Sequence, residues 1–218
     1  MKKRTVIGFV LLLLLTTIIS KQKIVISKFG LKEIEIENNF LIKKEEIKKL
    51  LAPIYGKNLF FVKNSEIEKV LMQNTLINSF NLKKKYPDKL RIEIFEKEPI
   101  AILVDKKKKF YISKKIDLIE FENIINFQNL PLVFGNKKEF KIFYEDLKKI
   151  NFPFIIIKKY TLYESKRWDV ETIDKQIIKL PSKNYIKSLN NYLGLKDKKN
   201  FKKYKVFDYR LENQLILK

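Results

Sequence analysis

The chain has 218 residues, 45% of them hydrophobic, which is enough for one or two domains with real cores and is not the composition of a disordered chain. A formal net charge of +22 suggests nucleic acid or an anionic membrane surface, but only Arg4, Arg91, Arg167 and Arg210 are arginine, the residue that base readers favour, so no nucleic-acid partner is expected. With no His and no Cys, zinc sites built on imidazole or thiolate, cysteine nucleophiles, histidine bases and disulfides are all excluded.

Met1-Lys2-Lys3-Arg4 precedes Thr5 to Ser20, sixteen residues without a charge that include Gly8 and Leu13. As a helix this run spans about 24 Å, a little short of a hydrocarbon core of roughly 30 Å. Lys21 and Lys23 can snorkel, and Ile24, Val25 and Ile26 extend the apolar length. A cleaved signal peptide looks much the same, but cleavage uses small residues near the end of the run, which here reads Thr16, Thr17, Ile18, Ile19 and Ser20 with no Ala. An uncleaved single-pass anchor over 5–26 is expected, with residues 1–4 as a short cytoplasmic tail.

Beyond Phe29 the periodicities read in order. LKEIEIEN alternates Ile34 and Ile36 against Glu33 and Glu35, a strand. Ile47, Leu50, Leu51 and Ile54 recur at helical spacing and are closed by Pro53 and Gly56. GKNLFFV connects to a second helix with Ile67, Val70 and Leu71 on one face and Asn64 or Ser65 as the expected N-cap. Ile77 to Tyr86 reads as a strand, Tyr86-Pro87-Asp88-Lys89 as a type I turn, and KLRIEIFE as the return strand. Lys83, Lys85, Arg91 and Glu93 then fall on the wet face of a sheet whose other face carries helices.

Pro99 opens a second unit. IAILVD, KFYIS, IDLIEF and LPLVFG are short apolar runs, and Phe140, Phe143, Leu147 and Ile150 have helical spacing. FPFIIIKKYTLYE and RWDVETID read as strands, with KQIIKLP pairing back across a turn from Thr172 to Lys175. NYIKSLNNYLGL reads as a helix ending near Gly194, and KVFDYRLENQLILK reads as one strand to Lys218. There is no Gly-rich phosphate loop and no nucleophile elbow. The paired acids are ordinary solvated charges of a Lys-rich chain, so no catalytic residue, cofactor or metal is expected.

The order strand-helix-helix-strand-strand, with GKNLFFV between the helices and YPDKLRIEIFEKEPIA at the end, resembles a POTRA domain. Placed after a single anchor and followed by VDKKKKFYISKKIDLIEF, LPLVFG, RWDVETIDKQIIKLP and VFDYR, it resembles the bacterial cell-division family FtsQ/DivIB. The resemblance implies an α+β chain: a single N-terminal transmembrane helix, a POTRA domain (β-α-α-β-β) over 29–98, and a mostly antiparallel β domain with two helices over 99–218. It further implies a bitopic, non-enzymatic scaffold of the bacterial inner membrane at the division septum. Such a scaffold has its bulk in the periplasm, binds FtsB-like and FtsL-like small coiled-coil proteins, and helps recruit and control septal peptidoglycan synthesis. A tethered POTRA module of envelope protein assembly and a basic nucleic-acid binder are the alternatives.

In the family the end of the β domain carries the FtsB contact. Leu211, Asn213, Leu215 and Leu217 alternate with Glu212, Gln214, Ile216 and Lys218, as in a strand whose unpaired edge a partner could complete. Proline at Leu215 or Ile216 is expected to remove an N–H from that ladder. Arg167 and Arg210 fall in two of the family-like motifs and are expected among the partner-binding residues, each guanidinium either forking onto a carboxylate or packing beside Trp168 and Tyr209.

Overall fold

The computed structural model describes residues 2–17, 28–211 and 214–218. The chain divides into two compact units, Met1–Phe95 and Glu96–Lys218. Helix α1 (Lys2–Thr17) takes Lys2, Lys3 and Arg4 into its first turn, so the expected separate tail is helical. The side chains from Thr5 to Leu14, with Gly8 and Leu13 among them, are exposed; Ser20 lies outside the described residues. Among the described residues no helix is long and apolar enough to cross a membrane.

The remainder of the first unit runs β1 (Glu33–Glu37), α2 (Lys44–Leu50), a short 3-10 turn (Ala52–Ile54), α3 (Asn64–Leu71), β2 (Ile77–Lys85) and β3 (Lys89–Glu96). This is the expected β-α-α-β-β order. The strands stand in the order β1-β3-β2, with β1 parallel to β3. Period-two burial puts Ile34, Ile36, Leu90, Ile92 and Ile94 inward against Ile47, Leu51, Ile67 and Leu71 of the helices. Gly56 makes the chain reversal after α2 at φ +76°, where a side chain would be strained. One local expectation changes. Helix α3 begins at Asn64 with Lys63 at the cap position, so neither Asn64 nor Ser65 caps it. The Tyr86–Pro87 peptide between β2 and β3 is cis.

The wet face of this sheet answers the charge pattern of the sequence. Glu35 accepts from Lys85 at 2.7 Å and from Arg91 Nε at 3.0 Å, and Arg91 also reaches Glu37 at 3.1 Å. Lys89 meets Glu33 at 2.7 Å and Asn81 donates to Glu93 at 3.1 Å. Donors on two neighbouring strands hold the Glu35 carboxyl below its ordinary value. These solvated pairs fix register more than they add stability.

The second unit contains β4 (Pro99–Asp105), β5 (Lys108–Ser113), β6 (Leu118–Glu120), β7 (Leu132–Phe134), α4 (Lys137–Lys149), β8 (Ile157–Leu162), β9 (Trp168–Thr172), β10 (Ile177–Lys179), α5 (Tyr185–Leu195), β11 (Val206–Asp208) and β12 (Ile216–Leu217). The strands form one sheet in the order β12-β11-β10-β9-β8-β7-β4-β5-β6. The pairs β4·β7, β7·β8 and β10·β11 are parallel and the others antiparallel, so the sheet is mixed.

One face carries the core. Val133, Tyr160, Val170, Ile178 and Phe207 lie beneath Phe140, Phe143 and Leu147 of α4 and Leu189 and Tyr192 of α5. Asn136 caps α4, its side chain accepting from Glu139 N at 2.9 Å. Gly135 has a packing reason to be glycine: a Cβ there would stand 3.0 Å from Leu162 Cβ and 3.1 Å from Trp168 Cη2.

The terminal segment is not the single strand that its alternation suggests. It breaks after Asp208 and folds back, with Phe207 opposite Leu217 and Asp208 opposite Ile216. The Asp208 carboxylate accepts from Arg210 N at 3.1 Å, an Asx turn that takes the chain out of the ladder.

Candidate functional site

The last strand lies at one end of the nine-stranded sheet, so only one of its flanks is paired among the described residues. Which backbone groups face the open flank follows from the ladder. Val206 N donates to Lys218 O at 2.9 Å and Lys218 N to Val206 O at 3.1 Å. In an antiparallel pair such doubly bonded residues alternate with residues whose N–H and C=O point the other way. The next opposed pair, Phe207 and Leu217, therefore turns away from the β11–β12 seam, and Asp208 and Ile216 turn back into it. On the far side of β11 the same alternation holds: Ile177 N donates to Lys205 O at 2.7 Å and Tyr209 N to Lys179 O at 2.9 Å.

Leu217 thus presents both its N–H and its C=O to the open flank, and Leu215 lies in the same phase. The N–H of Ile216 is committed to β11, which corrects the expectation that proline at Ile216 would act on the outer ladder.

Side chains follow the same phase. Leu215 and Leu217 pack partly against the core, Leu217 ending the row Tyr160–Val170–Ile178–Phe207. Gln214, Ile216 and Lys218 are exposed, and Leu211 is exposed on the loop. Glu212 and Asn213 lie outside the described residues.

Ile216 ends a second row on the helix-free face, Thr161–Asp169–Lys179–Asp208–Ile216. Here the two arginines have separate roles. Arg210 forks onto Asp208 of its own chain, Nε to Oδ1 at 2.8 Å and Nη2 to Oδ2 at 2.6 Å. The Asp208 carboxyl is held below the ordinary aspartate value of 3.8 by the Arg210 side chain and backbone N–H, against the cost of burial.

Arg167 lays its guanidinium over Tyr163 at 4.1 Å, with Nε 3.6 Å from Asp169 Oδ1. That distance is too long for a hydrogen bond, and both atoms are buried without one. Burial pushes the Asp169 carboxyl up, while Arg167, Lys179 and Arg210 pull it down. The carboxylate that the sequence motif seeks for each guanidinium is therefore present within the chain, bonded at Arg210 and only facing at Arg167.

Asp169 belongs to the Asp169/Glu171 pair that reads as solvated charge in the sequence, yet it is buried, and so is Asp208, whose Asp-x-Arg spacing to Arg210 is the sequence signal for the clamp.

The Asp208 clamp sets a pH dependence. Its folded pKa is depressed, so its contribution to stability is full above the unfolded value near 3.8 and disappears as pH falls through the folded value. In a carboxyl NMR titration of the native chain, Asp208 is expected to titrate below 3.8; a midpoint at or above 3.8 would contradict the clamp.

Beside this edge lies a groove of about 1100 Å³, lined by Asp146, Tyr185, Asn191, Arg210, Leu211 and Gln214 among others. Tyr185 OH donates to Asp146 at 2.5 Å and Tyr209 OH to Asn191 at 2.9 Å, which fix its walls. Among the described residues no group of three or more acidic side chains could hold a metal ion.

Comparison with known proteins adds to this geometry. The family model "POTRA domain, FtsQ-type" matches residues 29–97. The chain is 28% identical over 196 residues to "Cell division protein FtsQ" of Rickettsia bellii, covering 87% of this chain and 72% of that protein. It is 22% identical over 172 residues to the protein of the same name from Methylomonas methanica, covering 75% and 67%. Against "Cell division protein DivIB" of Clostridium tetani it is 32% identical over 106 residues, 48% of this chain and 39% of that one. The match over the β-α-α-β-β unit and these relatives along the chain make it similar to cell-division proteins named FtsQ and DivIB.

Proposed function

We propose that the protein is a bitopic scaffold of the division machinery whose β12 edge is completed by a strand from an FtsB-like partner, with an FtsL-like protein in the same complex. In this reading residues 5–26 anchor it in the inner membrane with the amino terminus in the cytoplasm, and the POTRA unit (29–98) and the β unit (99–218) stand in the periplasm. The POTRA unit serves recruitment to the septum, and the β unit hands the partner to the peptidoglycan-synthesising machinery. No bond is made or broken; the work is placement.

The observation that carries this reading is the open flank of β12 in a chain similar to these cell-division proteins. Strand addition gives affinity through backbone hydrogen bonds and specificity through alternate side chains. A strand laid outside β12 would set an apolar residue beside Leu217, where the core row ends, and a polar or charged one beside Ile216, where the row of Asp169, Lys179 and Asp208 ends. The exposed apolar side chains of α1 from Val6 to Leu14 support the anchor.

Purification of the tagged full chain from membranes of its own host is expected to bring down two small single-pass coiled-coil proteins, and a fluorescent fusion is expected to form a mid-cell band. A chain that co-purifies with neither protein and spreads evenly around the envelope would end this reading.

A further inference from the structure

One end of the first unit carries a series of exposed aromatic rings that its core does not use. The Phe29 ring meets Phe60 edge-on at 4.8 Å, and Phe60 stacks on Tyr86 at 4.5 Å and 23°. Three segments are tied together there. Leu59 N donates to Phe29 O at 2.8 Å, Gly30 bridges Asn58, and Lys84 Nζ donates to Val62 O at 2.7 Å. The connector between α2 and α3 thus turns Leu59 and Val62 into the core and Phe60 and Phe61 outward, 53% and 77% exposed, beside Tyr86 at 51%. Rings this size left in water beside a well-filled core mark a contact surface.

Two further observations point to what covers it. The first is connectivity. Phe29 follows Ile26, the last residue of the apolar run, by three positions, which an extended chain spans in at most about 10 Å. The second is charge. Lys28 and Lys63 flank the rings with no carboxylate in ion-pair range among the described residues, while Lys57 is neutralised by Glu66 and Lys32 by Asp88.

We propose that Phe60, Phe61 and Tyr86 dock into the headgroup boundary of the bilayer that holds the anchor, on its anionic lipids. Aromatic rings partition to that boundary, and lysines beside them add attraction to anionic headgroups. Docking would fix the orientation of this unit on the membrane by adding a second point of attachment to the anchor. The inference rests on the anchor over 5–26.

The test is Phe60→Trp in the full chain, reconstituted in nanodiscs of phosphatidylglycerol and phosphatidylcholine with and without brominated acyl chains. Trp168, the one native tryptophan, is 4% exposed, so the parent chain supplies the baseline. Bromination is expected to quench the introduced indole at least about twofold more than the parent, and Lys28→Glu with Lys63→Glu, or discs of phosphatidylcholine alone, to reduce that quenching.

Protein retained after an alkaline carbonate wash, with the introduced indole unquenched and open to aqueous acrylamide, overturns lipid docking alone and leaves the rings for a protein partner. Protein released by the wash overturns the anchor and the docking together. Quenching unaffected by both charge changes overturns the anionic part of the assignment.

Discussion

Leu217→Pro is expected to weaken capture of the strand-forming partner at least about tenfold while the sheet itself stays paired. Leu217 faces the open flank with both backbone groups, so proline there removes a donor that only the partner would use, and its ring also obstructs an approaching chain. A hydrogen bond lost at a desolvated seam is worth about 1–1.5 kcal/mol, close to one decade in Kd.

Ile216→Pro is the contrasting control. Its N–H lies in the β11–β12 seam, so proline there frees the terminal strand from Phe207 and Asp208 and disturbs the chain's own fold. The measurement is calorimetric titration of each variant with the purified partner, alongside amide exchange at Val206 and Lys218. If Leu217→Pro leaves Kd unchanged while those amides stay protected, strand addition at β12 is wrong.

Phe143→Ala is expected to cost about 3–5 kcal/mol, a large part of the roughly 5–15 kcal/mol that a domain typically has. Phe143 is fully buried and sits at the centre of the aromatic core. It stacks on Trp168 at 5.0 Å and 14°, meets Tyr160 edge-on at 6.1 Å, and lies 5.3 Å from the Tyr185 ring. These partners come from β8, β9 and α5, so a cavity there cannot close by one local shift. Trp168 is the chain's one tryptophan, so its emission in urea reports this unit alone. The midpoint is expected to fall by on the order of 2 M. A shift worth less than about 1 kcal/mol would mean that the site collapses around the missing ring.

The residues that were easiest to read were those whose period and burial agree. Ile34 and Ile36, Leu90, Ile92 and Ile94, and Phe140, Phe143 and Leu147 stand in the core as their spacing implied. Pairings between distant segments leave no such local trace. The parallel match of β1 with β3 joins Ile34 to Leu90 through no turn or motif. The terminal segment misleads for a different reason. Alternation runs from Phe207 through Tyr209 and Leu211, breaks at Asn213 and resumes at Leu215 and Leu217, yet the Asp208 turn overrides it, because a carboxylate that accepts from Arg210 N and both guanidinium donors outweighs strand preference over a few exposed residues. At the candidate edge the sequence shows the alternation of Leu215 and Leu217 with Ile216 and Lys218. Which backbone groups point outward depends on pairing with Val206, which only the fold supplies.

The position of β12 also bears on damaged messages. Every other strand of this sheet is formed by residues up to Asp208, and the principal aromatic core is complete without the last two. A polypeptide released early, just after Arg210, would keep most of its body yet lack Ile216 and Leu217. Under the proposed strand addition it would be a prematurely stopped product that takes up an intact copy's place without engaging the partner, and so competes instead of simply being lost.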